Sequence, residues 1–219
     1  LAGITTEHEA TSVAEAKEKL SRGMMVWIRE GSAAKNLENL LPLINEDNWP
    51  CFAFCADDIN CHDLDTAGDI LPIIKKGVAL GLDPIRSIQL ATINPARHYR
   101  LEDRGAIAPG RKADFLIVDN LQDFTVLAVY KNGQESKTTA YPSYRQADVL
   151  ETVHLFSLQD LTFPDAQGKT RARVIRAIPD SLYTAEEIYP LAEIENRRDI
   201  QKILVIARHG KNQNHTWGF

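Results

Sequence analysis

Two short apolar runs, each ending in residue types that bind metals, constrain this chain more than any other feature. The first is Gly3-Ile-Thr-Thr-Glu-His-Glu9 and the second is Phe52-Ala-Phe-Cys-Ala-Asp-Asp58. A strand ending in His8 and another ending in Asp57 or Asp58 are what a (β/α)8 barrel uses to hold a metal at its C-terminal face. The chain opens on the first run with no Met and no lead-in, so it reads as a piece of a larger enzyme.

The stretch between and beyond these runs alternates strand and helix. Ser12-Val-Ala-Glu15 reads as a capping box, with Val13, Ala16 and Leu20 at helical spacing and Gly23 as the stop. Met24–Ile28 reads as a continuous buried strand that runs into Arg29-Glu30-Gly31-Ser32. Leu37, Leu40, Leu41 and Ile44 mark one face of the next helix. A strand over Cys51–Ala56 follows, then a loop containing His62. Helices are expected around Asp69–Leu80 and from Pro84, where Asp83 is the N-cap, and Asn94-Pro95 repeats that start signal. This order implies parallel strands with helical crossovers.

The texture changes at Gly105. Turn chemistry through Asp114 leads into a strand at Phe115–Val118, and a second strand, Val126–Tyr130, reaches the hairpin signal Lys131-Asn-Gly133. The expected organisation is a partial (β/α) barrel over residues 1–104, a small β return over 105–136, a linker over 137–150 and an α/β C-terminal segment over 151–219. Strands in that last segment are expected near Val153–Leu158, Arg173–Ile178 and Ile203–Ala207.

With 219 residues, 44% hydrophobic and 25% charged, the chain can bury a core and is not disordered. A formal net charge of −5 argues against nucleic acid as a partner, because no basic face neutralises phosphates. Arg171-Ala-Arg173 and Arg197-Arg198 read as solvated edges. No apolar run approaches a membrane span, so no membrane partner is expected. Cys51 and Cys55, on one face of a strand, read as core packing, with a Cys zinc site beside His62 as the other reading. Free thiols point to a reducing cytoplasm.

His8 and the Asp57-Asp58 pair are candidate metal ligands, since water activation needs donors from several strand ends and an open coordination position. The competing reading makes His8 structural and one Asp a turn cap. Arg29, Glu30 and Ser32 are candidates for substrate orientation at the same barrel mouth; otherwise they form an ion pair and a cap for the following helix. His98 reads as packed or solvent-facing, and Arg208-His209-Gly210 resembles a site weakly. The chain has no GxGxxG, P-loop or GxSxG pattern, so nucleotide-cofactor and serine-hydrolase readings lack support.

Gly105-Ala-Ile-Ala-Pro-Gly-Arg-Lys-Ala-Asp114, followed by an apolar strand, resembles the signature with which amidohydrolase-superfamily chains leave their barrel for a small β-sandwich. Gly3–Glu9, Ile28–Leu37 and Ala56-Asp-Asp58 are similar to three motifs of the bacterial adenine deaminase branch. The resemblance implies an internal segment running from the fifth barrel strand into the branch's extra C-terminal domain. It also implies that His8 matches a fifth-strand metal-ligand histidine and Asp57 the eighth-strand aspartate, which touches the metal and shuttles a proton. Arg29, Glu30 and Ser32 match a motif near the substrate. The HxH pair of the first strand and the fourth-strand carboxylate have no counterpart here, and the spacing from Asp58 to His62 departs from the pattern.

What the resemblance implies chemically is hydrolysis of adenine to hypoxanthine and ammonia, a step of purine salvage, by metal-activated water with Asp57 as acid/base. The implied cofactor is a divalent metal, binuclear in the complete enzyme, with Mn, Fe and Zn all compatible. The implied partners are a purine substrate and further copies in a cytoplasmic homo-oligomer, with the present chain silent by itself. The alternatives are another amidohydrolase of cyclic amides or amidines, such as a dihydroorotase-like or imidazolone-hydrolysing enzyme, and a non-catalytic assembly module.

Overall fold

The computed structural model describes residues 2–137, 168–179, 181–209 and 215–219. They belong to two compact units, Leu1–Thr139 and Ala140–Phe219. The linker expected over 137–150 lies, beyond residue 137, outside the described residues, as do the strand expected at Val153–Leu158 and His154.

The first unit is built on three parallel strands, β1 (Thr6–Glu7), β2 (Met25–Arg29) and β3 (Phe52–Cys55), hydrogen-bonded in that order. Helix α1 (Val13–Ser21) crosses from β1 to β2. It starts where the sequence says, with Ser12 extended and its Oγ accepting the Glu15 N–H at 3.3 Å. The reciprocal half of the box falls one residue earlier than expected, because Glu15 Oε2 accepts from Thr11 N–H rather than Ser12. The crossover from β2 to β3 carries α2 (Leu37–Leu40), which tightens into a 3₁₀ turn over Leu41–Leu43. Pro42 has no N–H to continue the α ladder, which is why the expected longer helix stops. A second proline has the same effect before β3. Trp49–Cys51 is a 3₁₀ turn, so Cys51 lies outside the strand and is exposed, and it does not share a strand face with Cys55.

Four helices follow β3: α3 (Cys61–Thr66), α4 (Ile70–Ala79), α5 (Pro84–Ala91) and α6 (Ile93–His98). His62 is therefore helical and not in a loop. Asn60 caps α3 by accepting the Asp63 N–H at 2.9 Å. Asp83 caps α5 by accepting from Arg86 N–H at 2.9 Å. Asn94 does not play that part for α6. The helix begins before it, and its buried amide donates to the carbonyls of Trp49 and Phe52, both at 2.9 Å.

The two-residue period of the strands sends Val26, Ile28, Phe52 and Phe54 to one face, where they are buried with Leu37, Leu40, Ile73 and Leu90. Trp27 and Arg29 take the opposite face of β2. There His98, at the end of α6, meets Thr6 Oγ1 at 2.7 Å and packs edge-on against Trp27.

One strand, β2, separates the His8 and Asp57 strands, and all residues between them are described. A fifth-strand histidine and an eighth-strand aspartate would need two strands between them. The two expected strand matches therefore do not both hold.

The rest of the first unit is an antiparallel sheet of β4 (Phe115–Val118), β5 (Val126–Lys131) and β6 (Gln134–Glu135). Asn132 and Gly133, at φ 50° and 75°, make the tight turn between β5 and β6. Asp114 braces that turn by accepting from Asn132 N–H and Lys131 Nζ, both at 2.8 Å.

In the second unit, β7 (Arg171–Ala177) and β8 (Thr184–Pro190) pair antiparallel and lead into α7 (Leu191–Ile194). A second antiparallel pair joins β9 (Ile203–Ile206) to β10 (His215–Gly218). The basic residues expected at solvated edges are ion-paired, Arg173 with Glu186 at 3.1 Å and Arg197 with Asp199 at 2.5 Å.

Asn94 ties the start of β3 to α6 through two carbonyls that no other described side chain serves. Asn94→Ala removes the buried donor to the Phe52 carbonyl, while the Trp49 carbonyl keeps the Phe52 N–H, and should lower unfolding stability by about 1–3 kcal/mol, read from denaturant midpoints at unchanged slope.

Candidate functional site

Parallel strands deliver their C-terminal ends to one side of the sheet, and three of the sequence-selected residues meet there. Arg29 is the last residue of β2, His8 follows the last residue of β1, and Asp57 lies two residues past β3. Asp57 Oδ1 is 3.7 Å from His8 Nε2, and Asp57 Oδ2 accepts from Arg29 Nη1 at 3.2 Å. Asp57 holds a left-handed backbone conformation, φ 55°, in which Asp is among the better tolerated non-glycine residues.

Glu9, which the sequence offered only as the end of a motif, completes the cluster. Its Oε2 accepts from Arg29 Nη2 at 3.0 Å, and its Oε1 lies 3.3 Å from His8 Nε2. The Arg29 side chain is only 3% exposed. Burial opposes its charge, but the hydrogen bonds it donates to Glu9 and Asp57 outweigh that and hold it more firmly protonated than usual. Glu7 points away from this group. Its buried carboxyl accepts from the N–H groups of Glu9 and Ala10 at 3.2 and 3.1 Å, fixing the turn that carries His8. Burial raises the Glu7 pKa, with those two N–H groups acting against the shift.

Glu30 and Ser32 stand apart from the His8–Asp57 group. Glu30 binds Lys76 Nζ at 2.5 Å and accepts the Leu37 N–H at 3.1 Å, so Glu30, and not Ser32, serves the N-terminus of α2. Ser32 instead donates to Asp63 Oδ2 at 2.6 Å and accepts from Asn60 N–H at 2.9 Å, which braces the start of α3. Both line a cavity of about 230 Å³ together with Gly31, Ile59, Asp63 and Lys76. Asp58 joins the two loops by accepting from Ala33 N–H at 3.1 Å, while its Oδ1 is buried without a hydrogen-bond partner.

The Cys zinc reading fails on geometry. Cys51 is exposed on its turn, Cys61 is exposed on α3, and burial, with the Asp57 charge adding to it, pushes the Cys55 thiol up to about 12. With no metal bound, Cys55 is therefore a thiol at neutral pH.

Residues 2–135 match the model of the amidohydrolase family. The chain belongs to that family. It is 40% identical over 228 residues to the adenine deaminase of Kosmotoga olearia, covering 99% of this chain and 40% of that protein. To the adenine deaminase of Geobacillus kaustophilus it is 40% identical over 224 residues, covering 95% of this chain and 39% of the relative. The chain thus spans about two-fifths of the length of the curated relatives it matches. Among solved structures it is similar to the beta-aspartyl dipeptidase of Fervidobacterium islandicum AW-1, with a TM-score of 0.49 at 20% identity, covering 63% of this chain and 42% of that one.

Amidohydrolases generally depend on a divalent metal. His8 and Asp57 fit two positions of such an ion's shell: they are a neutral-type nitrogen donor and a carboxylate, both partly exposed. Their 3.7 Å separation suits one ion bonded to each at about 2.0–2.2 Å. Among the described residues no set of three His, Cys, Asp or Glu side chains converges to hold an ion. Among them, too, no helix is long and apolar enough to cross a membrane.

A Cβ at Gly31 would sit 2.0 Å from Asp58 Oδ1 and 2.6 Å from the Ala56 carbonyl oxygen. Gly31→Ala therefore has to push apart the ends of β2 and β3, and should cost about 1–3 kcal/mol. Thermal or denaturant unfolding checks this, and a neutral result would show that the two loops are not locked together.

Proposed function

We propose that this chain contributes the last three strands of an amidohydrolase barrel, with their loops, to an enzyme that hydrolyses adenine to hypoxanthine and ammonia. The observation that supports it best is the meeting of His8 and Asp57 across the end of β2, in a chain 40% identical over nearly its whole length to adenine deaminases. On this reading β1, β2 and β3 are the sixth, seventh and eighth strands. The remaining metal donors and the acid that protonates the ring come from sequence outside this chain.

Each residue then has a chemical task. His8 through Nε2 and Asp57 through Oδ1 would hold the divalent ion. Asp57 would also take a proton from the attacking water and return it to the leaving amino group, which departs as ammonia. The ion, when bound, supplies a water nucleophile whose pKa is brought near neutrality. Imidazole and carboxylate donors suit manganese, iron and zinc alike. Glu30 and Ser32, held by Lys76 and Asp63 on the wall of a cavity of their own, are on this reading the groups that orient the substrate.

In the complete enzyme, Asp57→Asn keeps the volume and removes the proton acceptor. It should reduce ammonia release from adenine by at least about 10²-fold in a protein that still folds, with stability lowered because buried Arg29 keeps only Glu9 as an anionic partner. Near-normal turnover would remove Asp57 from the mechanism. Release of product from cyclic amides or ureides, with none from adenine, would move the enzyme to another branch of the family.

A further inference from the structure

The motif that ends β2 resembles one lying near substrate, yet Arg29 is badly placed to touch a ligand. Its side chain is 3% exposed, and further chain packed against it could only bury it more. Two of its donor nitrogens are committed, Nη1 to Asp57 Oδ2 at 3.2 Å and Nη2 to Glu9 Oε2 at 3.0 Å, and the third, Nε, is buried without a hydrogen-bond partner. By contrast, the second oxygen of each carboxylate is turned toward the same atom. Asp57 Oδ1 lies 3.7 Å and Glu9 Oε1 lies 3.3 Å from His8 Nε2.

We infer that Arg29 is a positioning residue that acts through Asp57 and Glu9: its fork fixes one oxygen of each carboxylate and so aims the other at His8. This rests on the proposed deaminase reading. A planar guanidinium is suited to the task because its donors diverge at a fixed angle and can hold two carboxylates at once, which an ammonium cannot do with the same geometry. Asp57 needs such a restraint. It sits beyond the end of its strand in a left-handed backbone conformation, and among the described residues Arg29 is the hydrogen-bond donor that sets its rotation. Glu9 gives Arg29 a second anion, so that the guanidinium keeps a partner when Asp57 takes up a proton. The substrate contacts then fall to the cavity wall at Glu30 and Ser32, and Arg29 governs the chemical step.

The test uses the complete enzyme and its Arg29→Gln, Arg29→Lys and Glu9→Gln variants. Three quantities are measured: kcat and KM for adenine, the affinity for hypoxanthine by calorimetry, and the divalent metal retained after dialysis. Arg29→Gln should lower kcat by about 10- to 100-fold, as expected when a reacting group loses its placement. KM and the hypoxanthine Kd should stay within about twofold, because a uniform binding contact is not being removed. Metal retention should fall, since Asp57 loses its fixed orientation. Arg29→Lys, which keeps the charge without the fork, should recover only part of kcat, and Glu9→Gln should show a smaller kcat loss than Arg29→Gln. If Arg29→Gln does not fold, Arg29→Lys carries the comparison. A tenfold or larger rise in KM and Kd at preserved kcat would make Arg29 a substrate contact and overturn the inference, as would full recovery by lysine. If the wild-type enzyme does not deaminate adenine, the deaminase reading falls. The positioning role is then judged on metal retention alone, and equal retention in wild type and Arg29→Gln would overturn it.

Discussion

Arg29 carries a charge that cannot be given up, in a place with almost no water, and the end of the parallel sheet is arranged around that fact. A guanidinium stays protonated at any pH a protein meets, so a buried one needs anionic partners close by. Asp57 and Glu9 supply them from the strands on either side. The same two contacts draw the ends of β1 and β3 toward the end of β2. In doing so they bring His8 within reach of Asp57.

The sheet makes this possible through register. Arg29 stands opposite Cys55, so Asp57 emerges two residues farther along, at the height where the Arg29 fork reaches. Below this level the strands are held by apolar packing on their other face, where Val26, Ile28, Phe52 and Phe54 meet the helices. Above it, the loops are tied by polar contacts. Asp58 reaches Ala33, Ser32 reaches Asn60 and Asp63, and Glu30 bridges α2 and α4 through Leu37 and Lys76. Gly31 is the point where these two loops come closest, and its missing side chain is what lets them. The result is a stiff rim on one side of the cluster and a cavity beside it.

Much of this arrangement was legible in the sequence because its signals are local. Ser12 with Glu15, and Asp83 with Pro84, announce helix starts within four residues. The continuous apolar run Met24–Ile28 marks β2, and the ligand types at His8 and Asp57 mark strand ends. What escaped was either set by long-range contacts or hidden inside a pattern with a commoner meaning. Asn94 looked like a cap and is a buried bridge to β3, which only the folded distance reveals. Asn60 and Asp63 form a capping pair that the expected loop concealed. Pro42 and Pro50 each convert an expected regular element into a 3₁₀ turn by withholding an N–H. Glu9 read as the tail of a motif, whereas its partner, Arg29, lies twenty residues away in sequence and next door in the sheet. The strand count needed the sheet order itself, since similarity to motifs does not number strands.

The account stands on one geometry: a divalent ion shared by His8 and Asp57, with Arg29 beneath holding the other oxygen of the aspartate. Anomalous diffraction from crystals of the complete enzyme, collected at the absorption edge of the bound metal, tests it directly. The expected map has an ion at about 2.0–2.2 Å from His8 Nε2 and from one oxygen of Asp57, with Arg29 still hydrogen-bonded to the other. An ion that leaves either His8 or Asp57 uncoordinated, or an Arg29 side chain released from Asp57 and turned toward the ligand, would contradict it.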